Sequence, residues 1–223
     1  MIFIKKGIDM DVYLSLLLHS TVALITIINP IAAASIMVSM VGDEENSAIK
    51  VYAIKATLTL FISSLIALFG GEIIFKLFGI NVLSLKVIGG VILMLIAINM
   101  AHGHQSKARH SKEEQVEAAE KEDISIVPIG IPILFGPGVI ATIVVLNNEV
   151  SELHSKLIGD AIIATAILLS SVVAYLALRY SGTINRVLGV TGMKILTRVM
   201  GLIVGAIAAQ FLVSGIKGLW NIM

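Results

Sequence analysis

The sequence predicts an all-α membrane protein with six transmembrane helices, arranged as two inverted three-helix repeats. The first and fourth spans are expected to be broken, at Pro30 and Pro137. Three observations lead to this. First, 57% of the 223 residues are hydrophobic and only 14% are charged, with a mean hydropathy of +0.97, whereas a soluble domain is about a quarter charged. Second, apolar runs long enough to cross a bilayer, about 20 residues each, recur along the chain. Third, prolines interrupt two of these runs at corresponding places in the two halves.

A single transmembrane domain over 1–223 is expected. After a short tail with Lys5, Lys6, Asp9 and Asp11, the first apolar run extends from Val12 to Met40. That is too long for one straight span, and Asn29-Pro30 accounts for the surplus. Proline removes a backbone donor and clashes with the preceding helical turn, and the residue before it is pushed away from helical geometry. The second span covers about Val51 to Phe69, and a connector with Glu72, Lys76, Gly79 and Asn81 leads to a third at about Leu85 to Ala101. A strongly polar stretch, about 102–123, reads as a solvated loop. The fourth span, about Ile124 to Leu146, contains Pro128, Pro132 and Pro137; the fifth covers about Leu157 to Tyr180 and the sixth about Ile195 to Ile216. Lys5-Lys6, the apolar run and Ala32-Ala33-Ala34-Ser35 imitate a signal peptide, but the run continues well past the cleavage-like site.

The halves, about 12–101 and 124–219, can be superposed in sequence. Pro137 lies 107 residues after Pro30, and Ser170-Ser171 lies at the same offset from Ser63-Ser64. Phe78-Gly79 then corresponds to Leu188-Gly189, and Lys86 with Gly89 to Arg198 with Gly201. An odd number of spans per half inverts the second half, the architecture of many secondary transporters. On the expected topology Lys5, Lys6, Lys76, Lys86, Lys156 and Lys217 share one side, and the ten other Lys and Arg share the opposite side. The positive-inside bias then puts both termini outside, with Tyr13 and Trp220 in one outer aromatic belt.

The breaks carry the chemistry. Proline is favoured as the first residue of a helix, so a half-helix would begin at each break. Its first amides lack internal partners and carry the positive end of the dipole, which suits a carboxylate. The carbonyls near Ile28 and Phe135 suit an ammonium. An amino acid presents both groups. The two half-helix N-termini, one from each half, are expected to point into one shared midplane pocket used by alternating access. Asn29 can cap the following half-helix, and Gly136 and Gly138 allow close approach to the backbone. Candidate substrate contacts are therefore Asn29, Pro30, Ala33, Ser35, Gly136, Pro137, Gly138 and Thr142. Ser63, Ser64, Ser170 and Ser171 are candidate cavity-lining residues, although a hydroxyl bonded within or between helices is the plainer reading of each. Gly201, Gly205 and Ala209 form a small-residue face suited to close helix packing.

Other classes find less support. There are no basic tracts with interleaved aromatics, so no nucleic-acid partner is expected. With no cysteine, thiolate chemistry is excluded. No phosphate loop, metalloprotease helix or nucleophile elbow is present, so neither enzymatic activity nor a metal is expected. Glu72, Lys55 and Asp160 lie near span ends, where they can reach headgroups. No carboxylate relay is evident, no cofactor is expected, and coupling to a proton or sodium stays open.

The Asn29-Pro30 motif, the Gly136-Pro137-Gly138 motif, Lys86 with Gly89, and Arg198 with Gly201 resemble the MarC family, also described as SnatA-type small neutral amino acid transporters. The resemblance spans about residues 12–218. It implies a multi-pass protein of the inner or plasma membrane that carries glycine, alanine or similar amino acids, with the lipid bilayer and the substrate as partners; a homo-oligomer stays open. One departure is Ala33-Ala34-Ser35 after the Asn-Pro, where many members carry Gly or Asn and a further Pro. Small side chains there suit a tight pocket. An aquaporin-like channel for small solutes is the alternative, since such channels also join two proline-started half-helices at the midplane.

Overall fold

The computed structural model describes residues 10–41, 46–102, 125–153 and 155–221. They are helical almost throughout, in eight elements: α1 (Met10–Ile28), α2 (Pro30–Val41), α3 (Asn46–Leu77), α4 (Val82–Ala101), α5 (Ser125–Leu134), α6 (Pro137–Leu153), α7 (Lys156–Arg179) and α8 (Ser181–Trp220). The polar stretch predicted over 102–123 lies outside the described residues, apart from His102.

Among the described residues, five segments are long and apolar enough to cross a membrane: Met10–Val41, Ser47–Leu77, Val82–Ala101, Lys156–Arg179 and Ser181–Trp220. α5 and α6, bent by 54°, form a sixth if they are counted as one span. Large apolar residues such as Leu18, Ile66, Leu168, Val172 and Leu202 are exposed on the outside of the bundle, as expected of surfaces that face lipid.

The first break sits at Asn29, whose φ of 49° is in the left-handed region. That region disfavours side chains but is tolerated by Asn. The backbone N–H of Asn29 donates to Ile25 O at 3.0 Å, closing α1. Its carbonyl accepts from Ala33 N at 3.2 Å, and its side-chain Oδ1 accepts from Ala32 N at 3.4 Å, opening α2. One residue thus terminates one helix and caps the next, while Pro30, which lacks an N–H, takes the first position of α2.

The second break is more extended. α5 has a wide-turned hydrogen-bonding pattern, with extended backbone at Val127 and Ile131 and a cis Ile131–Pro132 bond. Phe135 N donates to Gly130 O at 3.0 Å, and α6 begins at Pro137 after Gly136. Several helix boundaries differ from the expectation. α3 continues to Leu77, taking in Glu72 and Lys76. It stops at Gly79 (φ 67°), where Ile80 N bonds Phe75 O at 2.8 Å and Gly79 N bonds Lys76 O at 3.1 Å, a Schellman closure that needs a residue tolerant of positive φ. Asn81 then caps α4 by accepting from Ser84 N at 2.7 Å. The sixth apolar segment starts earlier than predicted, at Ser181, because it absorbs a break at Gly189 (φ 59°).

α4 packs along α8, α3 on α5, α6 and α7, α1 on α6, α7 and α8, and α2 on α5, α7 and α8. Buried Leu24, Met37, Leu60, Leu93, Ile143, Ile163, Leu178 and Val204 fill the space between them. The α4–α8 seam is glycine-lined. A Cβ on Gly90 would stand 2.9 Å from Ala208 O, and one on Gly201 would stand 3.1 Å from Ala97 O. Of the small-residue face predicted on α8, Gly201 and Gly205 do meet α4, but Ala209 is exposed, and Val204 and Ala208 take the buried positions. A spacing of four residues drifts off a face that repeats every 3.6.

Candidate functional site

The two breaks meet inside the bundle. A Cβ on Gly138 would lie 3.0 Å from Leu93 Cδ2, 3.3 Å from Ile96 Cδ1 and 3.7 Å from Ile27 Cγ2. Ile27 precedes Asn29 by two residues, about 3 Å along a helix axis. The start of α6 is therefore packed against the end of α1, and glycine at 138 makes this approach sterically feasible. Gly136 is also closely placed, since a Cβ there would stand 3.1 Å from Pro132 O. Its carbonyl accepts from Val139 N at 3.0 Å and Ile140 N at 3.2 Å, forming the first turn of α6.

Two cavities adjoin this contact. One, of about 480 Å³, is lined by Ile25, Asn29, Pro30, by Val173, Leu176 and Ala177 of α7, by Tyr180 just beyond it, and by Met200. The other, of about 160 Å³, is bounded by His19 and Ala23 of α1, Thr142, Leu146 and Glu149 of α6, and Gln210, Phe211 and Ser214 of α8. The single shared pocket implied by the sequence is thus represented by two cavities, neither lined by both breaks. The apolar side chains of Ile27, Leu93 and Ile96 crowd Gly138 between them. The larger cavity is mostly apolar. The smaller one gathers an imidazole, a carboxylate, an amide and two hydroxyls.

The predicted contact residues fall into three groups. Asn29 and Pro30 line the larger cavity, and Asn29 Nδ2 also points to Met100 Sδ at 3.9 Å. Thr142 lines the smaller one; it is fully buried, and its hydroxyl donates to Gly138 O at 2.8 Å. Gly136, Pro137 and Gly138 form the second break itself, with Gly138 buried and Pro137 exposed. Ala33 is buried in the core and Ser35 is half-buried, its Oγ lacking a hydrogen-bond partner; neither lines these cavities.

The four serines are placed differently again. Ser64, Ser170 and Ser171 are buried and Ser63 is half-buried. Ser170 Oγ donates to Ala166 O at 2.7 Å and lies 3.4 Å from Thr21 O on α1, so it bonds its own helix and the neighbouring one. Ser171 Oγ has no partner, as is also true of Ser20 and Thr21. None of the four serines lines either cavity.

Sequence reasoning missed His19, Glu149, Gln210 and Ser214. It also missed that Lys86 Nζ on α4 pairs with Glu149 Oε1 on α6 at 3.0 Å. The Lys86 side chain is only 11% exposed. By contrast, Glu72 bridges Lys76 and Lys156 at 2.6 Å each, with those lysines 73% and 65% exposed. Asp160 likewise does not reach outward alone, since Asn147 Nδ2 donates to its Oδ1 at 2.8 Å. A polar residue at about every third or fourth position on one face of α8, Gln210 and Ser214, was the available signal.

Long apolar helices with apolar outer surfaces and breaks at Asn29 and Gly136 define a multi-pass helical membrane protein. Its family follows from comparison with known proteins. The sequence profile described as MarC family integral membrane protein matches residues 14–220, and the chain belongs to that family. It is 33% identical over 204 residues to a UPF0056 membrane protein of Aquifex aeolicus, covering 92% of this chain and 94% of that one. It is 32% identical over 199 residues to the UPF0056 membrane protein YhcE of Escherichia coli, covering 89% and 91%. With the UPF0056 membrane protein YvbG of Bacillus subtilis it shares 33% identity over 210 residues, covering 94% and 98%. No solved structure matches.

Proposed function

We propose that the protein is a secondary transporter of small neutral amino acids of the glycine and alanine class, working by alternating access about the two helix breaks. The observation that carries this reading is the contact of Gly138 with Ile27, which brings the N-terminal end of α6 beside the junction of α1 and α2, with a cavity adjoining each break. Two half-helix N-termini in one region favour a carboxylate, and the cavity of about 160 Å³ beside α6 is on the scale of a small ligand.

The reading includes six spans in two inverted repeats, and the helix packing supports it. Exchanging the halves turns α1 on α7 into α5 on α3, α2 on α8 into α6 on α4, and α2 on α7 into α6 on α3, and all six contacts occur. The pairs α3 with α7 and α4 with α8 map onto themselves. The two positive-φ glycines, Gly79 and Gly189, are also repeat partners. An inverted repeat of this kind lets the halves exchange roles as access alternates. The reading further includes a plasma or inner membrane location with both termini outside.

Counterflow in proteoliposomes tests it. Vesicles loaded with unlabelled glycine or alanine should accumulate the labelled amino acid with saturable kinetics. Rapid, unsaturable flux of small solutes without counterflow would support the channel alternative instead.

A further inference from the structure

We propose that the Lys86–Glu149 ion pair is an entry site for the substrate, at which a zwitterion separates the pair by giving its ammonium to Glu149 and its carboxylate to Lys86. This rests on the transporter reading and adds to it a recognition site away from the helix breaks. Glu149 lines the 160 Å³ cavity, whose far end is reached by Thr142, one helical turn beyond Gly138. The cavity holds the volume of about five waters, on the scale of glycine or alanine and well below that of a drug-sized pocket. Lys86, 11% exposed, is a nearly buried cation held by one carboxylate. Glu149 is 39% exposed and open to a ligand, whereas opening the pair without a replacement would strand the nearly buried Lys86 charge. A zwitterion satisfies both charges as it inserts, whereas an amine or a carboxylic acid leaves one of them orphaned. Gln210, Ser214 and His19 supply the polar wall along which the ligand would sit.

The absence of native cysteine makes the test direct. Counterflow by the wild-type protein is measured first, because its absence would remove the transporter reading itself. Ser214→Cys, and independently Gln210→Cys, is then reacted in proteoliposomes with a membrane-impermeant methanethiosulfonate reagent. Labelling is expected, with a rate slowed severalfold by glycine or alanine and unaffected by ethylamine or propionate at the same concentration. In the Glu149→Gln background, labelling without substrate should persist, and the glycine concentration giving half-protection should rise about tenfold, the equivalent of about 1.4 kcal/mol. A purely structural ion pair would not shift that concentration. The proposal is overturned if neither cysteine is labelled, if glycine and alanine do not protect, if ethylamine or propionate protects equally, or if Glu149→Gln shifts half-protection less than threefold.

Discussion

Gly138 and Ile27 are in van der Waals reach across the interior of the bundle: a Cβ on the glycine would stand 3.7 Å from Ile27 Cγ2. The residues are 111 positions apart in sequence, yet they join the first turn of α6 to the last turn of α1. A side chain added at 138 would press on Leu93, Ile96 and Ile27, the last of these lying two residues before Asn29.

Gly138→Leu should therefore reduce amino acid uptake to background while leaving membrane insertion intact. The added side chain would meet Leu93 and Ile96, already 3.0 and 3.3 Å from a bare Cβ, and overpacking of this kind costs about 1–3 kcal/mol. Uptake by the variant at the wild-type rate would mean that the break is only a kink.

Asn29 is the residue most exposed to backbone conflict. Asn29→Ala should lower thermal stability in detergent by about 1–3 kcal/mol, combining the lost cap with left-handed strain. Asn29→Gly should cost less, since glycine accepts the φ of 49° without steric penalty. Equal loss in both variants would show that the backbone angle is unimportant and only the side chain counts.

The α4–α8 seam separates glycines that can be replaced from those that cannot. Gly90→Val should sharply reduce the yield of folded protein, because its Cβ would meet Ala208 O at 2.9 Å, a backbone atom that cannot rotate away. Gly205→Ala should be tolerated, with a contact of 3.4 Å to Ala97 Cβ, and Ala209→Leu should be neutral on an exposed position. Monodispersity after detergent extraction reads out all three.

The two ion pairs should respond differently to neutralisation. Glu72→Gln affects lysines that are mostly solvent-facing, and exposed pairs contribute about 0–1 kcal/mol, so the melting temperature should shift little. Lys86→Met removes the nearly buried cation and leaves Glu149, 39% exposed, unpaired; because water can reach that carboxylate, stability should fall by less than the about 3–5 kcal/mol that breaking a fully buried pair costs, while uptake falls because Glu149 has lost its partner. Retained uptake in Lys86→Met would leave the lysine without a role in transport.

Most of the helical layout was legible from sequence because it is local. The apolar character of the spans, the helix ends at Asn29-Pro30 and before Pro137, and the turns at Gly79 and Asn81 follow from side-chain transfer energies and from φ limits that each residue carries with it. The seam on α8 was only half legible: Gly201 and Gly205 fall on it, but the drift of the helix put Ala208 where Ala209 was expected. Hydroxyl bonding within or between helices was legible for the serines, but the partner was not, since Ser170 lies against Thr21 O nearly 150 residues away.

By itself, the sequence determined that this chain is a multi-pass helical membrane protein with two interrupted spans, since apolar composition and proline geometry act within a few residues of each other. Only the tertiary structure decided that the interruptions touch through Gly138 and Ile27, that two cavities adjoin them, and that Lys86 meets Glu149. Those relationships depend on how helices distant in sequence pack, and apolar helix surfaces are too alike along the chain to specify their neighbours before the backbones come together.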